Sequence, residues 1–368
     1  MKPPHPPKYL VISDCEGPIS KNDNAYELAA HFIPNGSALF SNLSCYDDVL
    51  ADNLHRPNYS AGNTLRLILP FFKAYNLTDK QLEEFCTKNV TLLPHITDTL
   101  SFINDIAEVF IVSTSYEHYI KALCKTINFP YKNTYCTKVN LDKYPISPQE
   151  QTLLKELAQE IAQMPKITIP PYAVSLKDFS ATDQTTIRRL DEIFEVELPK
   201  TNAGKLLTEV VTVGGPQKAQ AICDAAKRSG AQLSNVMYVG DSITDVDAFR
   251  LVRQSGGLAV SFNGNIYAIA NAQVAVLSES TLATAALAQL FYQTTSKKNL
   301  LNKYIGFWCK TLLDKNSPLV GMLNHPITVY PDTLPEVQII TPKNIEKIAQ
   351  QSCAFREKIR GEKIGRLG

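Results

Sequence analysis

The stretch from Tyr9 to Ile19 limits what this chain can become. It is apolar and β-branched as far as Ile12, then turns to Ser13, Asp14, Cys15, Glu16, Gly17 and Pro18. Such a run reads as a buried strand that delivers Asp14 and Glu16 at its carboxyl end. In open α/β sheets the chemistry lies in the crevice beyond the carboxyl ends of the strands, so the acidic pair is well placed for a site. Asp and Gly are also ordinary turn residues, and by itself the run equally suits a strand closed by a turn.

Further strand ends carry chemistry-bearing groups. Val109 to Val112 forms a second buried run ending in Ser113, Thr114 and Ser115, before a helix with Tyr119, Ile120, Leu123 and Ile127. Hydroxyls there serve either as helix caps or as donors to an anion at the helix start. Gly214, Gly215 and Pro216 precede a helix carrying Lys218, with Ala219, Ile222, Cys223 and Ala226 on its apolar face. Lys218 is a surface residue or one that reaches back into a crevice. The run from Val236 ends in Gly240 and Asp241, with Asp245 four residues on, which brings both carboxylates near one point if a helix begins there. Ser242 and Asp245 also scan as a capping box. Leu258 to Ser261 is one more strand, ending in the turn residues Asn263, Gly264 and Asn265. Asp14, Asp241 and Asp245 gathered together would be costly without an offsetting cation, and a hard oxygen-ligated ion such as Mg²⁺ suits them.

Between these strands lie segments of another kind. Residues 24–95 have helical spacing through Tyr26, Leu28, Ala29 and Phe32 and again through Leu65, Ile68, Leu69 and Phe72, with a capping box at Thr78 and Gln81. Residues 141–211 form a second helical insertion, opened by Ser147, Pro148 and Glu150 as cap, first-turn proline and capping-box acid. A break follows from Pro165 to Pro171, then a helix from Thr182 to Phe194 whose Arg188 and Arg189 suit a solvated face. The division expected is a core of residues 8–23, 96–140 and 212–290, a helical cap at 24–95, the insertion at 141–211 and a C-terminal helical extension at 291–368. The extension holds the sole tryptophan, Trp308, in an apolar-periodic stretch, a final helix opened by Thr341 and Pro342, and a glycine-bearing basic end with Arg360, Lys363 and Arg366 that reads as mobile.

With 368 residues and a net charge of +1, the chain gives no electrostatic argument for nucleic acid. Its eight cysteines are scattered without a Cys-x-x-Cys pair and read as reduced thiols of the cytoplasm. No signal peptide and no membrane span are expected.

In their order and context, Asp14-Cys15-Glu16-Gly17, Ser113, Lys218 and the Gly240-to-Asp245 motif resemble the haloacid dehalogenase superfamily of phosphohydrolases, most closely its phosphoserine-phosphatase-like branch. The run Gly257 to Asn263 is similar to that branch too. The Asp-Cys-Glu-Gly-Pro motif, the long second insertion and the Arg-Gly-Glu-Lys-Ile-Gly end resemble an archaeal subgroup labelled subunit R of energy-converting hydrogenase A. The resemblance implies a doubly wound, mainly parallel α/β sheet with a Rossmann-like core, and phosphoryl transfer from a small phosphorylated metabolite through an aspartyl phosphate. Asp14 would be the nucleophile and Glu16 the general acid and base. Ser113, Thr114 and Lys218 would hold the phosphate, and Mg²⁺ would be bound by Asp14, the carbonyl of Glu16, Asp241 and Asp245. The family usually has Asp at position 16. Glutamate adds a methylene, so metal binding is a firmer expectation than fast turnover, and a weakly active metal-binding subunit with a protein partner on the C-terminal extension is the rival reading. His31, Arg56 and Arg66 in the cap read first as surface or packing residues, and otherwise as candidates for an anionic substrate tail.

Overall fold

The computed structural model describes residues 8–293, 335–365 and 367. The stretch around Trp308, and Arg366, lie outside the described residues.

The sheet has seven strands, β1 (Leu10–Ser13), β2 (Glu108–Tyr116), β3 (Thr134–Thr137), β4 (Val236–Gly240), β5 (Leu258–Phe262), β6 (Val274–Leu277) and β7 (Glu336–Ile339), in the order β3-β2-β1-β4-β5-β6-β7. All pairs are parallel except β6 with β7. β1 is central, with Val11 opposite Val109 on one side and Met237 on the other. All four of its residues are buried. A strand covered on both faces must be apolar on both, which is why it reads as a continuous run. Alternate side chains serve opposite layers. Leu10, Ile12, Phe110 and Tyr238 pack on the helices Pro216–Ser229 and Val246–Gln254, through Ile222 and Phe249 among others. Val11, Ile111 and Met237 pack on Ile96–Ile106, Glu117–Thr126 and Leu282–Gln293.

β2 runs further than its apolar segment indicates. Its pairing with β3 shifts register between Val112 and Tyr116, so Ser113, Thr114 and Ser115 sit in an irregular strand end. Such irregularities re-aim side chains.

The two insertions share one core. Leu39, Leu43 and Tyr46 of the helix Gly36–Asp48 lie in the same apolar cluster as Leu154, Leu157 and Ile161 of Pro148–Gln163, and as Ile187 and Leu190 of Ala181–Glu192. Asn42 Nδ2 donates to the carbonyls of Ile161 (2.8 Å) and Met164 (3.2 Å) across this seam. The helix Pro148–Gln163 starts where its sequence indicates, with Ser147 Oγ accepting from Glu150 N–H. The Glu150 carboxylate does not return to that cap; it accepts from Ala203 N–H at 2.8 Å, tying the insertion's two ends. Arg189, expected on a solvated face, is bound by Glu160, Glu192 and Glu197.

The basic C-terminal end differs most from expectation. The helix Ile345–Arg360 packs Ile348 and Ala349 against Ile269, Ala275 and Leu277 beside the β6–β7 edge, and Arg360 is ordered and buried at the sheet's carboxyl side.

Tyr119, fully buried, fixes the loop after β1: its hydroxyl donates to Asn22 Oδ1 (2.9 Å) and lies 2.8 Å from the Ser20 hydroxyl. Tyr119→Phe leaves these buried groups short of a partner and is expected to destabilise the chain by about 1–3 kcal/mol. The check is the denaturant midpoint at unchanged slope.

Candidate active site

Three strand ends converge where β1, β2 and β4 stop. The Asp14 N–H donates to Val239 O (2.8 Å), so the residue that leaves β1 is still held by β4. Its Oδ1 accepts from Cys15 N–H (2.6 Å) and its Oδ2 from Lys218 Nζ (2.6 Å). Lys218 has no exposed surface and lies in the first turn after Gly215 and Pro216, where Gly215 adopts φ +50°. It also donates to Asp245 Oδ1 at 2.7 Å. Tyr238 OH donates to the same oxygen (2.6 Å), and Asp245 Oδ2 accepts from the N–H groups of Asp241 (2.8 Å) and Ser242 (2.9 Å). Cap and site readings of this motif are therefore both true: Ser242 and Asp245 form a capping box, and the capping carboxylate also holds Lys218.

Asp241 completes the acidic group. One oxygen each from Asp14, Asp241 and Asp245 lie within 4.8 Å of one another, all three residues being buried. Gly17 permits this approach. It has φ +104°, and a β-carbon there would stand 2.1 Å from Asp241 Oδ2. Asp241 Oδ2 accepts from Arg356 and from Arg360 (3.1 Å), whereas its Oδ1 accepts no hydrogen bond from the described residues. These hard oxygens suit a divalent cation such as Mg²⁺.

Electrostatics separates the acids. Burial pushes Asp14 up to about 7, against the pull of Lys218 and with help from Asp245 and Asp241. Burial and the neighbouring Asp23 lift Glu16 well above the usual carboxylate range, while Asn24 N–H, donating to it at 2.6 Å, pulls the other way. Burial also acts on Asp245, yet the Lys218 charge and the bonds from Lys218 and Tyr238 hold it low. Lys218 is raised, its burial outweighed by Asp14 and Asp245.

The cavity above this group, about 90 Å³, is lined by Asp14, Glu16, Ser113, Thr114 and Asp241 and, from the helical body, by Asp47. Ser113 Oγ accepts from Ser115 N–H at 3.2 Å, and Thr114 Oγ1 is buried without a protein partner among the described residues. Asp14, Glu16, Ser113, Thr114, Lys218, Asp241 and Asp245 are thus brought together. His31, Arg56 and Arg66 are not among the lining residues: His31 packs on Phe32 and Phe85, and Arg56 pairs with Asp191 and Glu195.

Two functional candidates escape sequence reasoning, Arg356 and Arg360. The signal is present but faint. The helix Ile345–Arg360 buries Ile348, Ser352 and Arg356 at four-residue steps, so an arginine stands on the inward stripe, with Arg360 one step beyond.

The fold is that of the gene product AF1437 from Archaeoglobus fulgidus, whose structure shares 24% identity with 98% of this chain and 99% of that chain covered, at a TM-score of 0.77. A substrate-bound phosphoserine phosphatase complex matches with 12% identity, 75% of this chain and 96% of that one, at 0.43. A phospho-aspartyl intermediate analogue of phosphoserine phosphatase matches with 13% identity, 73% and 92%, at 0.41. No protein-family model and no curated protein sequence matches the chain. No helix among the described residues is long and apolar enough to cross a membrane.

Asp14 and Glu27 both sit at about 7, lifted from 3.8 and 4.5 mainly by burial. Across that window the folded chain keeps protons that the unfolded chain has lost, so their effect is to lower stability as pH rises, fully so above the raised values. Asp245, held low, acts in the opposite sense and only at more acidic pH. The cation-free chain is therefore expected to melt at a lower temperature at pH 8 than at pH 5. Thermal unfolding in chelator, scanned across this range, checks it; a melting temperature that climbs throughout contradicts it.

Proposed function

We propose that the chain is a cytoplasmic phosphatase of haloacid-dehalogenase type, hydrolysing a small phosphomonoester through a covalent phosphate on Asp14. One observation carries this reading: a carboxylate at the end of the central strand is bound by the buried Lys218, which Asp245 shares, and faces the hydroxyl-lined end of β2 and the acid Glu16. Asp14, Asp241 and the backbone carbonyl of Glu16 would hold Mg²⁺, with Asp245 behind them. The cation would offset negative charge between the carboxylate and the phosphoryl oxygens.

The chain's own groups then have distinct tasks. Asp14 attacks phosphorus in line with the leaving oxygen; a carboxylate–phosphorus bond forms as the ester P–O bond breaks. Glu16, which holds its proton through burial, gives that proton to the departing alkoxide. The resulting Glu16 carboxylate takes a proton from water, whose oxygen attacks phosphorus and releases phosphate and free Asp14. Ser113 and Thr114 donate to phosphoryl oxygens, and Lys218 balances charge on Asp14 and the transferring group.

The remainder of the substrate has room beside the reacting group. A cavity of about 690 Å³ adjoins the site through Ser44, Asp48 and Leu367, and is lined by Tyr26, Ser37 and Ser41 among others. Ser37, Ser41, Ser44 and Asp48 follow one another along one face of the helix Gly36–Asp48, which favours a leaving group bearing hydroxyl or amino groups.

Glu16 supports a second reading. Its carboxylate is tied to Asn24 N–H, at the start of the first cap helix, and it stands where a shorter acid is usual in the family the sequence resembles. On that reading the chain is a weakly active, metal-binding subunit of a larger complex, engaging a partner through its C-terminal extension.

Phosphate release from a panel of phosphomonoesters with Mg²⁺ separates the two. The phosphatase reading expects Mg²⁺-dependent turnover that is lost in Asp14→Asn and reduced by up to about a hundredfold in Glu16→Asp. A silent native chain with turnover appearing in Glu16→Asp supports the subunit reading.

A further inference from the structure

Arg356 and Arg360 belong to the helix Ile345–Arg360, yet both guanidinium groups end on Asp241, more than a hundred residues away in sequence. Their side chains are 3% and 5% exposed and that of Asp241 2%. Both arginines line the cavity above Asp14, but most of their N–H groups are engaged by the protein itself. Arg356 donates through Nε to Gly365 O (3.1 Å), through Nη1 to Asp241 O (3.2 Å) and Oδ2, and through Nη2 towards Leu367 O (3.4 Å). Arg360 donates through Nε to Lys21 O (3.1 Å), through Nη2 to Asn22 O, and through Nη1 to Asp241 Oδ2. Each is therefore anchored by backbone carbonyls on one side and presents a fixed N–H to one carboxylate oxygen on the other. The second oxygen of that carboxylate accepts no hydrogen bond from the described residues, and the carboxylate lies in the acidic group with Asp14 and Asp245.

We propose that Arg356 and Arg360 are positioning residues of the metal site: they clamp Asp241 by Oδ2 so that Oδ1 is set for the cation, making the C-terminal hook a working part of the site. This rests on the reading of Asp14 and Asp241 as metal ligands. The physical argument is one of sign. Two cations beside a cation site oppose metal binding by charge alone. A fork tethered to Gly365, Lys21 and Asn22 instead removes the freedom of a ligand that must otherwise be ordered at binding, as groups behind metal ligands commonly do. Lysine keeps the charge but cannot span a carboxylate and a carbonyl in one plane, so it isolates the positioning role.

The test is calorimetric titration of the full chain with Mg²⁺, repeated with Mn²⁺ followed by electron paramagnetic resonance, on Arg356→Lys, Arg360→Lys and Arg356→Met. Each substitution is expected to weaken cation affinity by about 10- to 100-fold. Thermal melts establish that each variant is folded; should those at position 356 not fold, Arg360→Lys carries the test. Unchanged or tighter binding in the folded variants overturns the proposal, and tighter binding in Arg356→Met alone would make the guanidinium a competitor of the cation. If the unsubstituted chain binds neither ion, the metal reading itself fails and the clamp falls with it, an outcome distinct from normal binding that the arginines do not affect.

Discussion

A single ammonium group, Lys218 Nζ, lies between Asp14 and Asp245 with no solvent contact, and the centre of the molecule depends on it. Two buried carboxylates in such proximity repel, and each loses hydration that the protein must replace. Lys218 replaces part of it, Tyr238 and the N–H groups of Asp241 and Ser242 most of the rest. The division is unequal. Asp245 receives five donors, a long one from Ser242 Oγ (3.5 Å) included, and stays low, whereas Asp14 receives two and is lifted to about 7. Both acids hold the lysine, but that inequality leaves only Asp14 with a raised pKa.

Much of this was legible in sequence because parallel strands announce themselves. A run apolar on both faces has few alternatives to a central strand, and its first polar residue necessarily emerges at the sheet's carboxyl edge. Asp14, Asp241 and Ser113 were placed in this way, whereas the Gly-Gly-Pro turn left Lys218 open between surface and crevice and only the family resemblance drew it into the site. The extent of β2 was hidden because hydroxyl residues continue the strand after the apolar signal ends. The union of the two insertions was hidden as well: helical periodicity shows that a face is apolar but not what covers it, and the partner of Leu43 lies more than a hundred positions along the chain.

The C-terminal arginines were missed for a different reason. Composition made Arg360 and its neighbours resemble a mobile end, and mobility is the ordinary fate of such residues. What overrode it is the acidic excess of the site. Asp14, Glu16, Asp23, Asp241 and Asp245 face a single internal lysine, and a cluster of that kind draws cations from wherever the fold can bring them. Local pattern does not report this demand, because it exists only after strands from distant parts of the chain have met.

The bond from Arg360 to Lys21 O closes a loop of 339 residues, so the loop after β1 and the end of the helix Ile345–Arg360 meet at one place. Contacts of such separation form late in folding, after the entropy of the intervening chain has been overcome. During synthesis the segment bearing Asp14 leaves the ribosome long before Arg356 and Arg360 exist. The growing polypeptide thus carries Asp14 through the synthesis of more than three hundred further residues without the arginines that hold Asp241.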